Sequence, residues 1–455
     1  MQQDAESAGI VYICRSNHAI MVLIYTPKIT KRVNYIFKLY FQQLLKIGFE
    51  ITSNADAFRH FDGARINYSK EHFENCLSFY PIDLLFKTGI EGQEIKAISH
   101  QGTKALYPVY DSKSAFPFDP FAAAFYLVTR YEEYLPYKKD RFGRFDANQS
   151  AAFHHGVLDK PLINIWAYQI RDLLLRNYPG LKFLKREFRF KPTYDIDAAF
   201  AYKYKGFARF TAATLRDLTK LDFAEISERF SVIFGRQPDP FDTYDFQLTL
   251  QKEYGLHPVY FILIANYGEY DKNLPVNNPN FQRLIKSLSD YAEVGIHPSF
   301  DSNTGVKKLS TEVDRLSRVL NREITKSRQH FLRLNFPVTY RNLIQNDITD
   351  DYTMGYASLP GFRAGISDTF NFYDLDMEVE TSLRVHPFQV MDGTLRDYMQ
   401  LDTDSSMVVI RKMIDEVKAV DGTFVSLWHN ESLSDLKRWE GWQKLYVEMI
   451  RYALP

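Results

Sequence analysis

Asp195 and Asp197 stand two residues apart in the stretch KPTYDIDAAF, residues 191–200. On a β-strand, side chains at this spacing point to the same side of the sheet, so their charges repel each other. A divalent cation relieves the repulsion if one carboxylate binds it, and the other carboxylate is then left to accept a proton. A solvated strand end is the alternative interpretation, and for two acidic residues considered alone it is the commoner one.

Three histidines at or near the ends of later apolar runs extend the pattern. His297 follows EVGI, His330 lies within SRQHFLRL and His429 follows TFVSLW. One aspartate and two histidines with an open position suit a catalytic Zn²⁺, whose bound water has a pKa lowered to about 7. We therefore expect His297 and His330 to bind a divalent metal with one of the aspartates, and His429 to protonate a leaving group. A lone histidine on an apolar strand is more often a hydrogen-bonded core residue, which is our interpretation of His386.

These side chains must be positioned by the strands and helices of residues 186–455. Short runs rich in β-branched and aromatic residues alternate there with helical segments; the runs are FRFKPTYDID, HPVYFILIA, EVGIHPSF, SRQHFLRL, YTMGYAS, LRVHPFQV and GTFVSLWHN. This alternation predicts βαβ units and a parallel sheet, and the number of strands favours a (β/α) barrel over an open sheet. Active sites of such barrels lie at the carboxyl ends of the strands, where most of the candidate residues fall.

Residues 1–185 are predicted to form a smaller α/β domain, for which the sequence indicates no role. Two apolar runs in residues 10–25 indicate strands, and KRVNYIFKLYFQQLLKIGFE places its apolar residues at helical intervals. A second helix is predicted to begin at Pro120 with Asp119 as its cap. PLINIWAYQIRDLLLRNYPG is predicted to form a third helix.

The bulk composition gives no indication of several classes of partner. Lys+Arg and Asp+Glu both number 56, so the chain as a whole has no excess of positive charge for nucleic acid or for an anionic membrane. The two cysteines, Cys14 and Cys76, are too few for a disulfide scaffold. No signal peptide is visible, and the longest apolar run, residues 19–25, is far shorter than the roughly 20 residues that span a bilayer. We expect a cytoplasmic protein without a transmembrane segment; its oligomeric state stays open.

The motifs PTYDID, EVGIHPSF, SRQHFLRL and SLWHN resemble, in this order, those of the polysaccharide deacetylases, the NodB-homology or carbohydrate esterase 4 family. The whole chain is also similar to Bacteroidetes-type proteins that carry an uncharacterised domain before such a barrel, in segments that include DRFGRF, KPLINIW, GFRAGIS and PFQVMDGTL. The resemblance implies an α/β fold with a distorted (β/α) barrel of the NodB type, a divalent metal that is usually Zn²⁺, and removal of N- or O-acetyl groups from sugars.

The resemblance also implies roles for individual residues. By their order in the motif, Asp195 is the expected base and Asp197 the expected metal ligand. Arg328 would orient Asp195, and His429 would be the catalytic acid. Arg363, in GFRAGIS, is expected to contact the substrate or to form a structural salt bridge.

Two positions depart from the family pattern. Ile196 separates the two acidic residues, which leaves their roles interchangeable. Asp301 stands where the family has its second metal-binding histidine, whereas His297 matches the first. Either Asp301 or His330 supplies the third ligand, or the metal site is weak or lost. We favour His330, because imidazole is a usual ligand of Zn²⁺.

The expected function is metal-dependent deacetylation of an acetylated sugar or polysaccharide. A catalytically impaired relative that binds a glycan or a partner protein is one alternative, and the absence of the second family histidine favours it. A glycosyltransferase that uses Asp195 and Asp197 as a D-x-D motif is another, but it gives the three histidines no role. Metal binding distinguishes the enzyme from the impaired relative, because a binding protein can lack metal and still bind a sugar. Tight binding of a UDP- or GDP-sugar would indicate the glycosyltransferase.

Overall fold

The computed structural model of the chain describes residues 11–12 and 21–454. Cys14 and most of the N-terminal segment that we searched for a signal peptide lie outside this range. Among the described residues, no helix is both long and apolar enough to cross a bilayer. The first predicted strand run is described only at its Val11–Tyr12 pair, whereas the second forms a buried strand at Met21–Tyr25.

The N-terminal part contains a five-stranded sheet, a short hairpin and five helices. The sheet has the order β1-β3-β2-β4-β5, in which β1 is antiparallel to β3 and the other neighbours are parallel. The strands are β1 (Val11–Tyr12), β2 (Met21–Tyr25), β3 (Gly48–Thr52), β4 (Ala64–Asn67), β5 (Leu77–Ser78) and the hairpin β6 (Ala97–His100) and β7 (Thr103–Leu106). The helices are α1 (Lys31–Phe37), α2 (Ala55–His60), α3 (Pro120–Val128), α4 (Ala151–His154) and α5 (Leu162–Asn177).

The predicted start of α3 is confirmed. Asp119 Oδ1 accepts hydrogen bonds from the backbone N–H groups of Phe121 and Ala122, both at 3.0 Å, and Pro120 occupies the first helical position. These interactions satisfy N–H groups that have no partner within the helix. The first and third predicted helices are also present as α1 and α5, and α1 continues as a π-helix at Lys38–Leu44.

The C-terminal part is built on one nine-stranded sheet. Its strands are β8 (Arg189–Ile196), β9 (Val259–Leu263), β10 (Glu293–His297), β11 (Lys326–Ser327), β12 (Asp350–Asp351), β13 (Phe370–Asp374), β14 (Val379–Val385), β15 (Val390–Met391) and β16 (Thr423–His429). Its helices are α6 (Phe207–Thr219), α7 (Phe223–Ile233), α8 (Tyr244–Tyr254), α9 (Pro279–Tyr291), α10 (Val306–Leu320), α11 (Val338–Ile344), α12 (Thr403–Lys418) and α13 (Trp442–Ala453).

Eight of the nine strands form a parallel array in the order β14-β12-β11-β10-β9-β8-β16-β15, and β13 is antiparallel to β14 at one edge. The predicted parallel sheet and strand–helix alternation are therefore confirmed. A closed barrel is not shown, because no strand pairing among the described residues joins the edge strands β13 and β15. A distorted barrel of the NodB type stays a prediction.

Two predicted strands are wrong, and several helices, among them α6, α7 and α8, were not predicted. SRQHFLRL is a strand only at its start, because Phe331 and Leu332 have positive φ values of 58° and 54° that a strand cannot include. YTMGYAS is irregular, since β12 ends at Asp351, whose carboxylate accepts hydrogen bonds from Ser327 and Thr353. Helices α6, α7 and α8 fill the connection from β8 to β9.

The two parts of the chain share one hydrophobic core. The core cluster of buried side chains is continuous from the helices of the N-terminal part to the nine-stranded sheet. Tyr373 of β13, for example, lies 4.9 Å from Tyr35 of α1 and 5.4 Å from Phe125 of α3, measured between ring centroids. The domain boundary at residues 185–186 stays a prediction.

Candidate metal centre

Strands β8, β10 and β16 of the parallel array bring four candidate residues to one edge of the sheet. Asp195 lies near the end of β8, and Asp197 follows its last residue. His297 ends β10 and His429 ends β16, which is paired with β8 so that His429 lies opposite Asp195. Because the carboxyl ends of parallel strands meet at the same edge, residues far apart in sequence become neighbours there.

Asp197, His297 and His330 each offer one ligand atom, and these atoms lie within 4.8 Å of one another. The Nε2 atom of His297 is 3.1 Å from Asp197 Oδ1, and the Nε2 atom of His330 is 3.5 Å from Asp197 Oδ2. Asp197 Oδ1 is enclosed but accepts no hydrogen bond from any described residue. A buried carboxylate oxygen without a donor, facing two imidazole nitrogens, fits a divalent cation between the three side chains.

The far nitrogen of each histidine is held by a separate acceptor. Nδ1 of His297 is hydrogen-bonded to the backbone carbonyl of Arg328, and Nδ1 of His330 is 2.9 Å from Asp271 Oδ1. Because the Nδ1 atoms donate these bonds, the Nε2 lone pairs are directed toward Asp197. This arrangement, in which an outer acceptor fixes the ring and its tautomer, is typical of metal-binding histidines.

Asp195 is buried and paired with a buried arginine. Arg328 Nη1 donates to Asp195 Oδ1 at 2.9 Å, and Arg328 Nε donates to the carbonyl oxygen of Tyr352 at 2.9 Å. The guanidinium also lies 4.6 Å above the ring of Phe261. Asp195 Oδ2 makes no such bond and lies 3.7 Å from His297 Nε2, on the side of the candidate metal ligands.

His429 stands on the opposite side of Asp197 and is held by Asp392. The Nδ1 atom of His429 is 2.8 Å from Asp392 Oδ1, and the backbone N–H of His429 donates to Asp392 Oδ2 at 2.7 Å. Asp392 is fully buried, whereas the His429 side chain is a quarter exposed. The remaining nitrogen, Nε2, lies 3.7 Å from Asp197 Oδ2, so it faces both the cluster and solvent.

The charges at the centre shift the pKa values of the side chains in opposite directions. Burial opposes ionisation of Asp197, but the charge of His330 and the nearby Nε2 atoms of His297 and His330 hold its pKa well below 3.8. Burial lowers the pKa of His330, but the charge of Asp197 and bonds to both aspartates raise it to about 9. Burial also disfavours the charged form of His429, but Asp392, and then Asp197, raise its pKa to about 10. A bound cation would compete with the protons on these imidazoles.

Two predicted site residues lie elsewhere. Asp301 does not join the cluster: its side chain is 73% exposed and pairs with Lys308 at 3.2 Å. Arg363 does not offer its head group to a substrate, because the guanidinium is buried and donates to both carboxylate oxygens of Glu133 and to the carbonyl oxygen of Gly355. Of the alternatives that the sequence left open, the structure shows the salt bridge for Arg363 and leaves Asp301 outside the cluster, so a metal ligand at Asp301 and a substrate contact at Arg363 are not supported.

Sequence reasoning missed Asp271 and Asp392. Asp392 directly follows β15 within PFQVMDGTL, so the rule that polar residues follow strands could have identified it. Asp271 lies in the connection between β9 and α9, far from any strand end, and nothing in its neighbourhood marks it. Only the fold brings Asp271 to His330, which is 59 positions away in sequence.

Comparison with known sequences identifies only the N-terminal part. A family described as a "family of unknown function (DUF7033)" matches residues 22–179, a range that excludes the candidate metal centre. No curated protein matches the chain. The similarity to Bacteroidetes-type proteins thus finds no support in these comparisons.

Several solved structures are similar at low identity. A protein of Mycobacterium smegmatis assigned as a polysaccharide deacetylase is 13% identical over 59% of this chain and 86% of its own, with a TM-score of 0.39. A polysaccharide deacetylase of Bacillus cereus is 9% identical over 59% of this chain and 88% of its own, with a TM-score of 0.28. A 4-α-glucanotransferase of Thermococcus litoralis is 11% identical over 59% and 37%, with a TM-score of 0.33. Because these values are low, the function is argued from the geometry of the site itself.

Proposed function

We propose that the chain is a metal-dependent deacetylase that hydrolyses the acetyl group of an acetylated saccharide. The observation that carries the proposal is the convergence of one three-residue cluster and two side-chain pairs at one edge of the sheet. A candidate metal cluster with an enclosed, unpaired carboxylate oxygen is flanked by the Asp195–Arg328 pair on one side and the His429–Asp392 pair on the other. The saccharide as substrate class rests on the motif resemblance, and the choice of an acyl-transfer reaction rests on the two flanking pairs.

Asp197, His297 and His330 are the residues that would hold the metal. Their donor set of one carboxylate and two imidazoles suits Zn²⁺ and leaves positions for a substrate and a water molecule. Bound there, a divalent cation supplies Lewis-acid stabilisation of the negative charge that develops on the acetyl oxygen. The outer bonds from Asp271 and from the Arg328 carbonyl keep both rings in place, so the ligands need not reorganise.

Asp195 is the base in this proposal. Its Oδ1 is occupied by Arg328, so Oδ2, which faces the cluster, is the atom available to take a proton from the attacking water. Arg328 stabilises the ionised carboxylate and fixes its orientation. A buried carboxylate without this partner would favour the protonated form, which cannot act as a base.

His429 is the acid. The bond to Asp392 keeps a proton on Nδ1 and raises the pKa of the ring to about 10, so the ring carries a second proton on Nε2 at neutral pH. Nε2 is the nitrogen that faces the cluster and solvent. It can therefore deliver a proton to the departing amine or alcohol as the bond to the acetyl carbon breaks.

The proposal is tested by metal analysis of the purified chain together with acetate release from N- and O-acetylated oligosaccharides. The wild type is expected to contain or bind a divalent metal and to release acetate. Asp195→Asn should retain the metal but lose activity, whereas His297→Ala should lose both. A wild type that binds no divalent metal, or variants as active as the wild type, would reject the enzyme.

A further inference from the structure

The hairpin of α6 and α7 exposes an unusual concentration of large apolar side chains. Within residues 204–234, eight such side chains are exposed: Tyr204 at 43%, Phe207 at 82%, Leu215 at 62%, Leu218 at 48%, Leu221 at 72%, Phe223 at 60%, Ile233 at 42% and Phe234 at 68%. Scattered surface apolar residues need no explanation, but a concentration of this kind within one helical hairpin is typical of an interaction surface.

The exposure of these residues does not result from poor packing between the two helices. The helices already meet through Phe210 and Phe230, whose ring centroids are 5.2 Å apart, and through the buried pair of Arg229 and Asp217. Phe207, Leu215 and Leu218 recur at helical spacing on another face of α6. The exposed apolar face is therefore additional to the surface that holds the hairpin together.

The charge of the hairpin indicates what this face contacts. Residues 203–236 contain seven Lys and Arg and four Asp and Glu. Residues 207–233 are balanced at four of each, and the three additional basic residues, Lys203, Lys205 and Arg236, flank the two helices. The acidic residues there that form ion pairs have basic partners within the structure, as Glu225 and Glu228 do with Lys437. Lys220 and Arg236 form no ion pair with any described residue and are exposed. Phe and Leu on one face with uncompensated Lys and Arg beside them are typical of helices that lie in a lipid interface.

We propose that residues 203–236 dock onto an anionic lipid bilayer, with the exposed Phe and Leu side chains among the headgroups and the basic side chains against the lipid phosphates. The hairpin is tied to the candidate centre: Arg209 donates to the carbonyl of Asn273, whose side chain donates to the carbonyl of Ile196 between the two aspartates. This inference stands independently of the deacetylase reaction.

The test is co-sedimentation of the full chain with vesicles of phosphatidylglycerol and phosphatidylcholine, and with vesicles of phosphatidylcholine alone. The wild type is expected to sediment with the anionic vesicles only. The triple variant Leu218→Ser, Leu221→Ser, Phe223→Ser should bind at least about 100-fold more weakly, since each inserted apolar side chain contributes about tenfold or more. The matched control Leu184→Ser, Met377→Ser, Val408→Ser removes three apolar side chains with similar exposure elsewhere and should bind like the wild type.

Three outcomes would overturn this inference. The wild type could fail to sediment with either vesicle, it could bind neutral vesicles equally well, or the hairpin variant could bind like the control. Analytical ultracentrifugation of the same proteins tests whether a second copy of the chain binds this face instead. A dimer of the wild type that the hairpin variant abolishes, without vesicle binding, would assign the face to a second copy of the chain.

An independent observation gives the N-terminal part a role at the metal centre. Phe331 and Leu332, which directly follow His330, have positive φ values of 58° and 54°. Two successive residues other than glycine in this region cost free energy and persist only where their surroundings impose the conformation. The backbone that positions His330 must therefore be held from outside.

The loop at residues 140–144, within DRFGRF, supplies this constraint. Arg144 Nη1 donates to the carbonyl oxygen of Phe331 at 3.0 Å, and the ring of Phe142 lies 4.8 Å from that of Phe331. Asp140 fixes the loop itself, because it accepts hydrogen bonds from the backbone and side chain of Arg144, each at 2.8 Å. The Arg144 side chain is only 8% exposed. We infer, on the basis of the proposed metal function, that Arg144 is a positioning residue that sets the orientation of His330.

The test measures Zn²⁺ affinity by competition with a chelator, the visible spectrum of the Co²⁺-loaded protein, and thermal unfolding. Arg144→Ala should weaken Zn²⁺ binding about 10–100-fold, as loss of an outer partner of a ligand does, and should change the Co²⁺ spectrum. Arg144→Lys keeps the charge without the planar fork and should give a smaller loss. Arg32→Ala is the matched control, because Arg32 is equally buried and bridges the same two parts through Glu378, away from His330. It should lower the unfolding temperature without changing Zn²⁺ affinity.

Equal Zn²⁺ affinity and equal Co²⁺ spectra for the wild type and both Arg144 variants would overturn the positioning role and leave the proposed function intact. An equal loss of affinity in Arg32→Ala would also overturn it, since the effect would then be one of general stability. A wild type that binds no metal would reject the proposed function itself.

Discussion

Replacing Asp392 by Asn tests the role of His429 with little change in side-chain shape. The Asn side chain keeps one oxygen, so it can accept only one of the two hydrogen bonds that Asp392 accepts from the ring and the backbone of His429, at 2.8 and 2.7 Å. What disappears is the negative charge. That charge is the largest of the influences that raise the pKa of His429 to about 10.

The size of the effect follows from the distance. Two unit charges about 4 Å apart interact by about 4 kcal/mol at an effective dielectric constant of about 20. At 1.36 kcal/mol per pKa unit, loss of this interaction lowers the pKa by about three units. The pKa of His429 should therefore fall from about 10 to about 7. Because an acid must carry its proton, the activity on the alkaline side should decline from about pH 7 instead of about pH 10.

The assay is the pH dependence of kcat for acetate release, recorded between pH 5 and pH 10. At pH 9 we expect a loss of at least about 100-fold relative to the wild type, and a much smaller loss at pH 6. Asp350→Asn is the control, because Asp350 is a buried aspartate 2.7 Å from Nε2 of His386, at a distance from the centre. If kcat of Asp392→Asn declines at the same alkaline pH as that of the wild type, His429 is not the acid. An equal shift of this pH in the control Asp350→Asn would refute the assignment as well.

Three further predictions concern the other groups of the centre. Asp271→Asn should weaken Zn²⁺ binding about 10–100-fold in a chelator competition, because His330 loses the charged partner of its Nδ1 atom. Arg328→Met should lower the free energy of unfolding in urea by about 3–5 kcal/mol, because Asp195 is left buried without its partner. Protein stripped of metal should lose up to about 3 kcal/mol of stability as pH rises, because the raised pKa of His330 stabilises the fold fully below pH 6.5 and not at all well above about pH 9.

Each of these three predictions can be contradicted by a specific result. Unchanged Zn²⁺ affinity in Asp271→Asn would mean that the outer bond does not support the ligand. A loss below about 1 kcal/mol in Arg328→Met would mean that Asp195 is solvated or protonated instead of paired. The stability of metal-free His330→Ala should vary less with pH than that of the wild type, and an identical profile in both would remove His330 from the account.

The sequence was sufficient for many of the elements and for the strand that leads to the two aspartates. The Asp119 cap, the alternation of strands and helices, and the histidines at the ends of β10 and β16 all follow from local patterns of spacing and side-chain type. Such patterns are reliable because capping and strand periodicity depend on residues close together in the chain.

Partnerships between distant residues could not be obtained in this way. A salt bridge of Arg363 was one of the two expected roles, but its partner could not be identified, because Glu133 is 230 positions away in sequence. Asp301 was considered as a ligand because it occupies a family position, but the turn at Phe300–Thr304 leaves it in solvent. Asp271 could be recognised as a site residue only from the fold, which places it beside His330.

The central claim is that Asp197, His297 and His330 form a single metal site, and titration calorimetry tests it most directly. Zn²⁺ is titrated into chelator-treated wild type and into Asp197→Ala, His297→Ala and His330→Ala, with Asp301→Ala and His386→Ala as controls. We predict one tight site in the wild type and both controls, and a loss of at least about 100-fold in each of the three ligand variants. No site in the wild type, or binding in the ligand variants as tight as in the controls, would contradict the account.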